Sequence, residues 1–316
     1  MEESVILADP NSKAWPFAKK VFEIISRYEP NFSLKEVEIT HFRDGESFVH
    51  VKKNVRGQRC YFIHDSSKRP NDWIVELMLV NDALKRASVR TVHDILPYMR
   101  YSRQDRKLES RVPISARVIA DSIGYRADRV MTTDLHADQI QGFYNKPFDN
   151  LYAFPTIVEY LKSKHPEILN NCVVVSPDAG GVIRARAFAK RLNTHIAIID
   201  KRREKPGEIA EMRVIGDIKD KNAIIVDDII DSGGTLMEAT KALKKMGALK
   251  VYACCTHAIL TNNAIEKLPK VIDKMIVTDS IPHEDWDGIE VVSLAPLYAE
   301  AIRRTDKGQS ISALYA

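Results

Sequence analysis

The chain has 316 residues, 45% hydrophobic and 28% charged, an ordinary globular balance with length for two domains, each with its own core. A formal net charge of +4 is too small, and the basic residues too dispersed, to argue for nucleic acid. No apolar run approaches the roughly 20 residues of a membrane helix, and the acidic start Met1-Glu2-Glu3-Ser4 is unlike a signal peptide. The four cysteines (Cys60, Cys172, Cys254, Cys255) show no CxxC pair or metal spacing, so they read as thiols of a reducing compartment, the cytoplasm.

In chain order, strands are expected over Ser4–Ala8, Glu36–Phe42 and Cys60–Asp65. A helix over Asp72–Ala87 puts Leu77, Val80 and Leu84 on one stripe, with Asp72 able to cap its start. A strand over Arg90–Leu96 precedes a helix over Pro113–Ile123, which opens on proline and stops at Gly124. Arg129–Leu135 is the next expected strand. The polar segment Asn145–Pro155 then marks the join between domains 1–150 and 151–316. Beyond it, strands are expected over Cys172–Pro177, His195–Asp200, Ala223–Asp228, Val251–Thr256 and Lys274–Thr278. The helix Thr235–Met246 carries Leu236, Ala239, Leu243 and Met246 on its apolar stripe, with Gly247 as its stop. A last helix over Pro296–Arg304 is expected to fold back onto the first domain. Runs such as Val173-Val174-Val175 and Ala223-Ile224-Ile225-Val226 are continuously apolar, as strands covered on both faces are. The halves show no obvious sequence repeat, yet strand–helix alternation in each implies two α/β domains with mainly parallel sheets flanked by helices.

The most specific local pattern is Val226-Asp227-Asp228-Ile229-Ile230-Asp231-Ser232-Gly233-Gly234-Thr235. An apolar strand runs into an acidic pair, a third acid and a small-residue turn that opens a helix. Backbone amides in such a turn converge on a phosphate, and the helix N-terminus adds favourable partial charge. Gly233 and Gly234 permit close approach, while Ser232 and Thr235 add hydroxyl donors. Asp227 and Asp228 are placed to accept hydrogen bonds from ribose hydroxyls or to hold a hydrated Mg²⁺. A bland strand–turn–helix join, with Asp231 or Ser232 only capping the helix, is the competing reading. No Gly-Lys-Ser/Thr follows, so this is not a Walker A loop.

This stretch resembles the ribose-phosphate loop shared by phosphoribosyltransferases and phosphoribosyl diphosphate synthetases. Four further segments, spanning nearly the whole chain, resemble the synthetase (ribose-phosphate diphosphokinase) family. Phe42-Arg43-Asp44-Gly45-Glu46 is similar to its Phe-x-Asp-Gly-Glu; read alone it is a hairpin turn, and the resemblance implies that Asp44, Gly45 and Glu46 reach the adenine site of a neighbouring subunit. Tyr101-Ser102-Arg103-Gln104-Asp105, alone a solvated basic loop, resembles an ATP-contacting segment, which implies ATP contacts for Arg103 and Gln104. Asp134-Leu135-His136-Ala137-Asp138-Gln139-Ile140-Gln141-Gly142-Phe143 and Ser176-Pro177-Asp178-Ala179-Gly180-Gly181 resemble segments that hold the metal, implying His136 and Asp178 as ligands. Lys201-Arg202-Arg203, alone a charged surface loop, resembles the closing loop whose cations neutralise the moving diphosphoryl group, implying catalytic Lys201 and Arg203, with Pro206-Gly207 as a hinge.

The resemblance implies two phosphoribosyltransferase-type domains and transfer of the diphosphoryl group of MgATP to the anomeric hydroxyl of ribose 5-phosphate, giving 5-phosphoribosyl diphosphate and AMP. Residues 227, 228 and 231–235 would bind ribose 5-phosphate, Mg²⁺ would be the cofactor, and the chain would form homo-oligomers, dimers or hexamers. A phosphoribosyltransferase would instead release pyrophosphate and need no ATP. Two departures stand out: Ala8-Asp9-Pro10-Asn11-Ser12 replaces a Ser-Gly-rich segment, and Trp73-Ile74 replaces Asn-Leu.

Overall fold

The continuous apolar runs become the inner strands of two seven-stranded sheets. The computed structural model describes residues 3–202, 211–283 and 286–315. The chain divides into two units, Met1–Tyr152 with Ser280–Pro282 and Ser293–Ala316, and Ala153–Asp279 with His283–Val292.

The first unit runs β1 (Ser4–Ala8), α1 (Trp15–Ser26), β2 (Phe32–His41), β3 (Ser47–Val51), β4 (Arg59–Ile63), α2 (Pro70–Arg86), β5 (Thr91–Leu96), α3 (Ser115–Gly124), β6 (Arg129–Thr133) and β7 (Phe148–Leu151). Its strand order is β3-β2-β1-β4-β5-β6-β7, and only the β2–β3 hairpin is antiparallel. The second unit runs α4 (Phe154–Lys164), β8 (Cys172–Ser176), α5 (Val182–Leu192), β9 (Ile196–Arg202), β10 (Glu211–Ile215), β11 (Asn222–Ile230), α6 (Gly234–Lys245), β12 (Lys250–Ala258), α7 (Ala264–Lys267), β13 (Lys274–Thr278) and β14 (Ile289–Val292). Its order β10-β9-β8-β11-β12-β13-β14 repeats that of the first, strand for strand, and again only one pair, β9–β10, is antiparallel. The repeat is one of topology, carried by two dissimilar sequences. In each sheet the order reverses between the first and fourth strands, β1 with β4 and β8 with β11. Such a reversal opens a crevice at the carboxyl ends of the strands, where ligands bind in open α/β sheets.

The last helix, α8 (Ala295–Asp306), packs within the first unit. The Tyr298 ring is fully buried, stands edge-on to Phe17 with centroids 5.7 Å apart, and its hydroxyl lies 2.6 Å from Thr133 Oγ1. Asp306 accepts from Ser4 Oγ at 2.5 Å and from Arg59 Nη1 at 3.3 Å.

Three local expectations are corrected. Asp72 does not cap α2: the cap position is Arg69, without a side-chain bond, because Pro70 already supplies a helical φ at the first turn. Asp72 lies two residues past Pro70, still in the first turn, where its charge favours the helix N-terminus. Helix α3 begins at Ser115, two residues after Pro113. Met246 falls off the buried stripe, 47% exposed, because the helix stops at Lys245. Gly247 takes the left-handed conformation (φ 91°) and Ala248 N–H donates to Leu243 O at 3.1 Å, the stop expected of that glycine.

Candidate active site

Every described candidate residue falls at the carboxyl end of a strand. In the second unit β11 carries Asp227 and Asp228 near its end, then turns through residues 231–233 into α6. Gly233 sits at the cap position with φ 73°, a left-handed angle that side chains resist. Its Cα faces Leu268 so closely that a Cβ there would lie 2.9 Å from Leu268 Cδ2. The cap residue of α6 is Gly233 itself, which has no side chain to cap the first turn. The first amides of any helix have no acceptor within it, and here they open on a surface where Ser232 and Thr235 are exposed. That is the geometry of an anion cradle. Asp231 turns the other way: Thr261 Oγ1 donates to its Oδ1 at 2.6 Å, and Thr261 N–H to its carbonyl at 3.0 Å.

The acid pair is held from behind. Asp228 is buried and Asp227 keeps 27% of its side chain exposed. Asp228 N–H donates to Asp227 Oδ1 at 2.9 Å, and Arg184 Nη1 lies 3.1 Å from Asp228 Oδ1 and 3.9 Å from Asp227 Oδ1. Burial and the adjoining Asp228 carboxylate push Asp227 well above the usual carboxylate range, against the pull of Arg184. Behind them, the buried Cys255 thiol donates to Asp228 O at 3.3 Å.

Asp178 follows β8 across the crevice. Its carboxylate is exposed and accepts the Gly181 amide, at the start of α5, through Oδ1 at 2.9 Å, while Ser176 Oγ donates to its carbonyl at 2.7 Å. Lys201 lies in the last turn of the pleat of β9, its backbone paired with Met212 of β10. Arg203, with Pro206 and Gly207, lies outside the described residues.

In the first unit, residues 44–46 form the tip of the β2–β3 hairpin. Phe42 N–H donates to Glu46 O at 2.8 Å, Gly45 N–H to Phe42 O at 3.0 Å, and Glu46 N–H to Asp44 Oδ1 at 3.1 Å. Phe42 and Phe48 stack edge to face beside it, 57% and 46% exposed. Arg103 and Gln104 lie on the segment after β5; Ser115 Oγ donates to Gln104 Oε1 at 2.5 Å, and Arg103 is exposed. His136 is exposed in the segment after β6. The two segments are tied by Gln139 Nε2 donating to Asp105 Oδ2 at 2.8 Å. Thus Arg103, Gln104 and His136 share one edge of the first sheet, and Asp178, Lys201 and the 227–235 cluster share one edge of the second.

Among the described residues no group of three or more His, Cys, Asp or Glu side chains converges as a metal site. Within the second unit, the exposed Asp178 carboxylate suits a cation that takes most of its ligands from water and nucleotide phosphate, as Mg²⁺ does. Sequence reasoning passed over Arg184, Thr261 and Leu268. Arg184 had a signal: an arginine in the first turn of a helix opposes the helix dipole, so it calls for an anionic partner. Thr261 and Leu268 are distant in sequence and had none.

A model of the N-terminal domain of ribose phosphate pyrophosphokinase matches residues 10–125, and a phosphoribosyl synthetase-associated domain matches residues 201–316. A ribose-phosphate pyrophosphokinase of Campylobacter jejuni is 44% identical over 302 residues, covering 95% of each chain. One from Caldanaerobacter subterraneus is 45% identical over 287 residues, covering 89% of this chain and 90% of its own. The crystal structure of phosphoribosylpyrophosphate synthetase from Mycobacterium smegmatis superposes with a TM-score of 0.87 at 33% identity, over 97% of this chain and 100% of that one. With relatives this similar along nearly its whole length, the chain belongs to the ribose-phosphate pyrophosphokinase family.

Proposed function

We propose that the chain transfers the diphosphoryl group of MgATP to the anomeric hydroxyl of ribose 5-phosphate, releasing AMP and 5-phosphoribosyl diphosphate for nucleotide biosynthesis. The observation that carries this reading is the glycine-opened start of α6 directly after an acid pair of which Asp227 stays partly exposed. A sugar phosphate is the ligand that needs both: amides and hydroxyls of residues 231–235 for its phosphate, carboxylates 227 and 228 for its diol. Held there, the anomeric oxygen forms a bond to the β-phosphorus while the bond from that phosphorus to the α-phosphate oxygen breaks, and AMP departs with the bridging oxygen. Positioning of this kind converts a bimolecular encounter into an oriented reaction.

Arg103 and Gln104 hold ATP in this reading, and Asp44, Gly45 and Glu46 reach the nucleotide of a neighbouring copy in a homo-oligomer, a dimer or hexamer. His136 and Asp178 would hold Mg²⁺, which would withdraw charge from the phosphate oxygens when bound. Lys201 and Arg203 offset the charge that develops as the diphosphoryl group moves. No helix among the described residues is long and apolar enough to cross a membrane, and the four free thiols fit a cytoplasmic enzyme. The test is AMP formation from ATP measured with and without ribose 5-phosphate. AMP that appears only with the sugar supports the proposal; pyrophosphate release without ATP consumption would point to a phosphoribosyltransferase, and no product in either case to a binding protein.

A further inference from the structure

We infer that Arg184 is the positioning residue that sets the sugar-binding acid pair against the metal-side carboxylate, so that it controls affinity for the pentose and not for the nucleotide. The inference rests on the proposed reading of Asp227 and Asp228 as acceptors of the ribose hydroxyls. It starts from a conflict in α5. Arg184 lies in the first turn of that helix, where a cation is disfavoured, and no acid of the same turn offsets it. Its side chain is only 22% exposed and crosses from α5 to the tip of β11, to an Asp228 side chain that is 7% exposed. A partly buried ion pair of this kind stabilises a fold no better than well-packed apolar residues do. Its geometry, though, does something that apolar residues cannot.

Arg184 Nη1 lies 3.1 Å from Asp228 Oδ1 and 3.9 Å from Asp227 Oδ1, and the Asp228 amide donates to that same Asp227 Oδ1 at 2.9 Å. Both carboxylates therefore have an Oδ1 atom engaged from within the protein, which restrains how the pair sits at the end of β11. The same short stretch of chain fixes a third carboxylate. Three residues before Arg184, the Gly181 amide donates to Asp178 Oδ1 at 2.9 Å, and a Cβ on Gly181 would lie 2.8 Å from Ser176 Oγ, so this turn packs closely against the end of β8. One rigid helix start thus sets the spacing of Asp178 from Asp227 and Asp228, and its guanidinium offsets the mutual repulsion of carboxylates gathered at one sheet edge. A planar fork suits that task where a lysine ammonium, a point charge, does not.

The experiment is steady-state kinetics of the full chain with each substrate varied in turn, for Arg184→Gln, Arg184→Lys, Asp228→Asn and the double variant Arg184→Gln/Asp228→Asn. Arg184→Gln is expected to raise KM for ribose 5-phosphate about tenfold or more, with KM for ATP changed less than about twofold, and Arg184→Lys to fall between it and the parent. The double variant should be no worse than Asp228→Asn alone, since the arginine acts through that carboxylate. If Arg184→Gln does not fold, Arg184→Lys decides, with a selective rise in ribose 5-phosphate KM of about threefold expected. Parallel rises in both KM values, a fall in kcat alone, or fully multiplicative effects in the double variant would overturn the inference. Should Asp228→Asn itself leave ribose 5-phosphate KM unchanged, the underlying reading of the acid pair fails; should it raise KM while Arg184→Gln does not, only the role of Arg184 fails.

Discussion

The two ends of α6 make a quantitative demand on three glycines that alanine substitution can separate. At Gly233 (φ 73°) a methyl group meets two penalties. An L-residue in the left-handed region costs about 1–2 kcal/mol, and contacts of 2.9, 3.0 and 3.1 Å with the Leu268 side chain add an overpacking term of about 1–3 kcal/mol. Gly247, at the other end of α6, has a left-handed φ of 91° but its nearest neighbour, Lys219 Cγ, would be 3.4 Å away, so alanine there carries the backbone penalty alone. Gly234 has neither burden: its nearest contact is Ser232 Oγ at 3.8 Å, and alanine in a helix is favoured over glycine by up to about 1 kcal/mol. The expected order of thermal stability is therefore Gly234→Ala at or above the parent, then Gly247→Ala, then Gly233→Ala. At about 2–4 °C per kcal/mol for a domain of roughly 150–250 residues, Gly233→Ala should melt some degrees below Gly247→Ala. Calorimetric melts with and without ribose 5-phosphate read both stability and binding, since saturating ligand at about 100 Kd adds about 2.7 kcal/mol. Gly233→Ala should also lose most of that ligand shift. Equal melting points for the Gly233 and Gly247 variants would refute the packing argument, and an undiminished ligand shift would refute the cradle.

Further perturbations test other parts of the site and fold. Lys201→Ala should lower kcat about 10²–10³-fold, the usual loss when one pre-placed charge or donor is removed from a transition state, with its melting point close to the parent; near-normal turnover would remove Lys201 from the chemistry. Ser115→Ala frees the Gln104 side chain from its 2.5 Å bond and, at about 1 kcal/mol, should raise KM for ATP about fivefold while leaving ribose 5-phosphate untouched; an unchanged ATP KM would argue that Gln104 needs no such anchor. Asp94 is fully buried with Asn81 Nδ2 donating to it at 2.8 Å, and burial lifts its carboxyl from 3.8 to about 7. The folded chain then binds that proton more tightly than the unfolded one, so this contribution to stability is full at low pH, declines by about 1.4 kcal/mol per unit between roughly pH 4 and 7, and is gone above. Urea titrations across that range should show the decline, and Asp94→Asn should flatten it; an unaltered slope would place the proton elsewhere.

The ten strands expected from sequence are the ten inner strands of the two sheets, and the four that were not expected, β3, β7, β10 and β14, are the four edges. The division has a physical cause. An inner parallel strand is covered on both faces and reads as Val173-Val174-Val175, whereas an edge strand such as Ser47–Val51 is half exposed along its length and alternates too weakly to stand out over five residues. Helices followed a similar rule. Those with clear stops, such as α6 before Gly247, were legible, while α5 was hidden by an arginine-rich sequence whose buried side is only Ala185, Phe188 and Ala189. The cradle was legible because its chemistry is local, one turn of chain making amides, hydroxyls and acids adjacent. Its supports were not, because Thr261 and Leu268 reach it from 30 or more residues away and only the fold brings them there.

The topological repeat explains why a single unit bears the cradle. In the first sheet the counterpart of the 227–235 segment is the loop after β4, His64-Asp65-Ser66-Ser67-Lys68-Arg69, leading into α2 through Pro70. It has no glycine to adopt a left-handed cap, and the proline removes one of the amides that a phosphate would need. Its Lys68 and Asp65 are already engaged from within the protein. Lys68 Nζ lies 2.7 Å from Glu76 Oε2 and 3.9 Å from Asp9 Oδ2, while Asp65 accepts the Ser67 and Lys13 amides at 2.8 and 2.9 Å. The two departures from the family pattern meet here. Asp9 belongs to the segment that replaces a Ser-Gly-rich one, and Trp73, fully buried, stacks on His64 with ring centroids 5.7 Å apart. Burial lowers His64 to about 4, so it stays neutral and adds no cation for an anion to find. The reversal of strand order supplies a crevice in both sheets, and the proposed phosphate site follows a difference of a few side chains: glycine and hydroxyl after β11, against proline, tryptophan and internal ion pairs after β4.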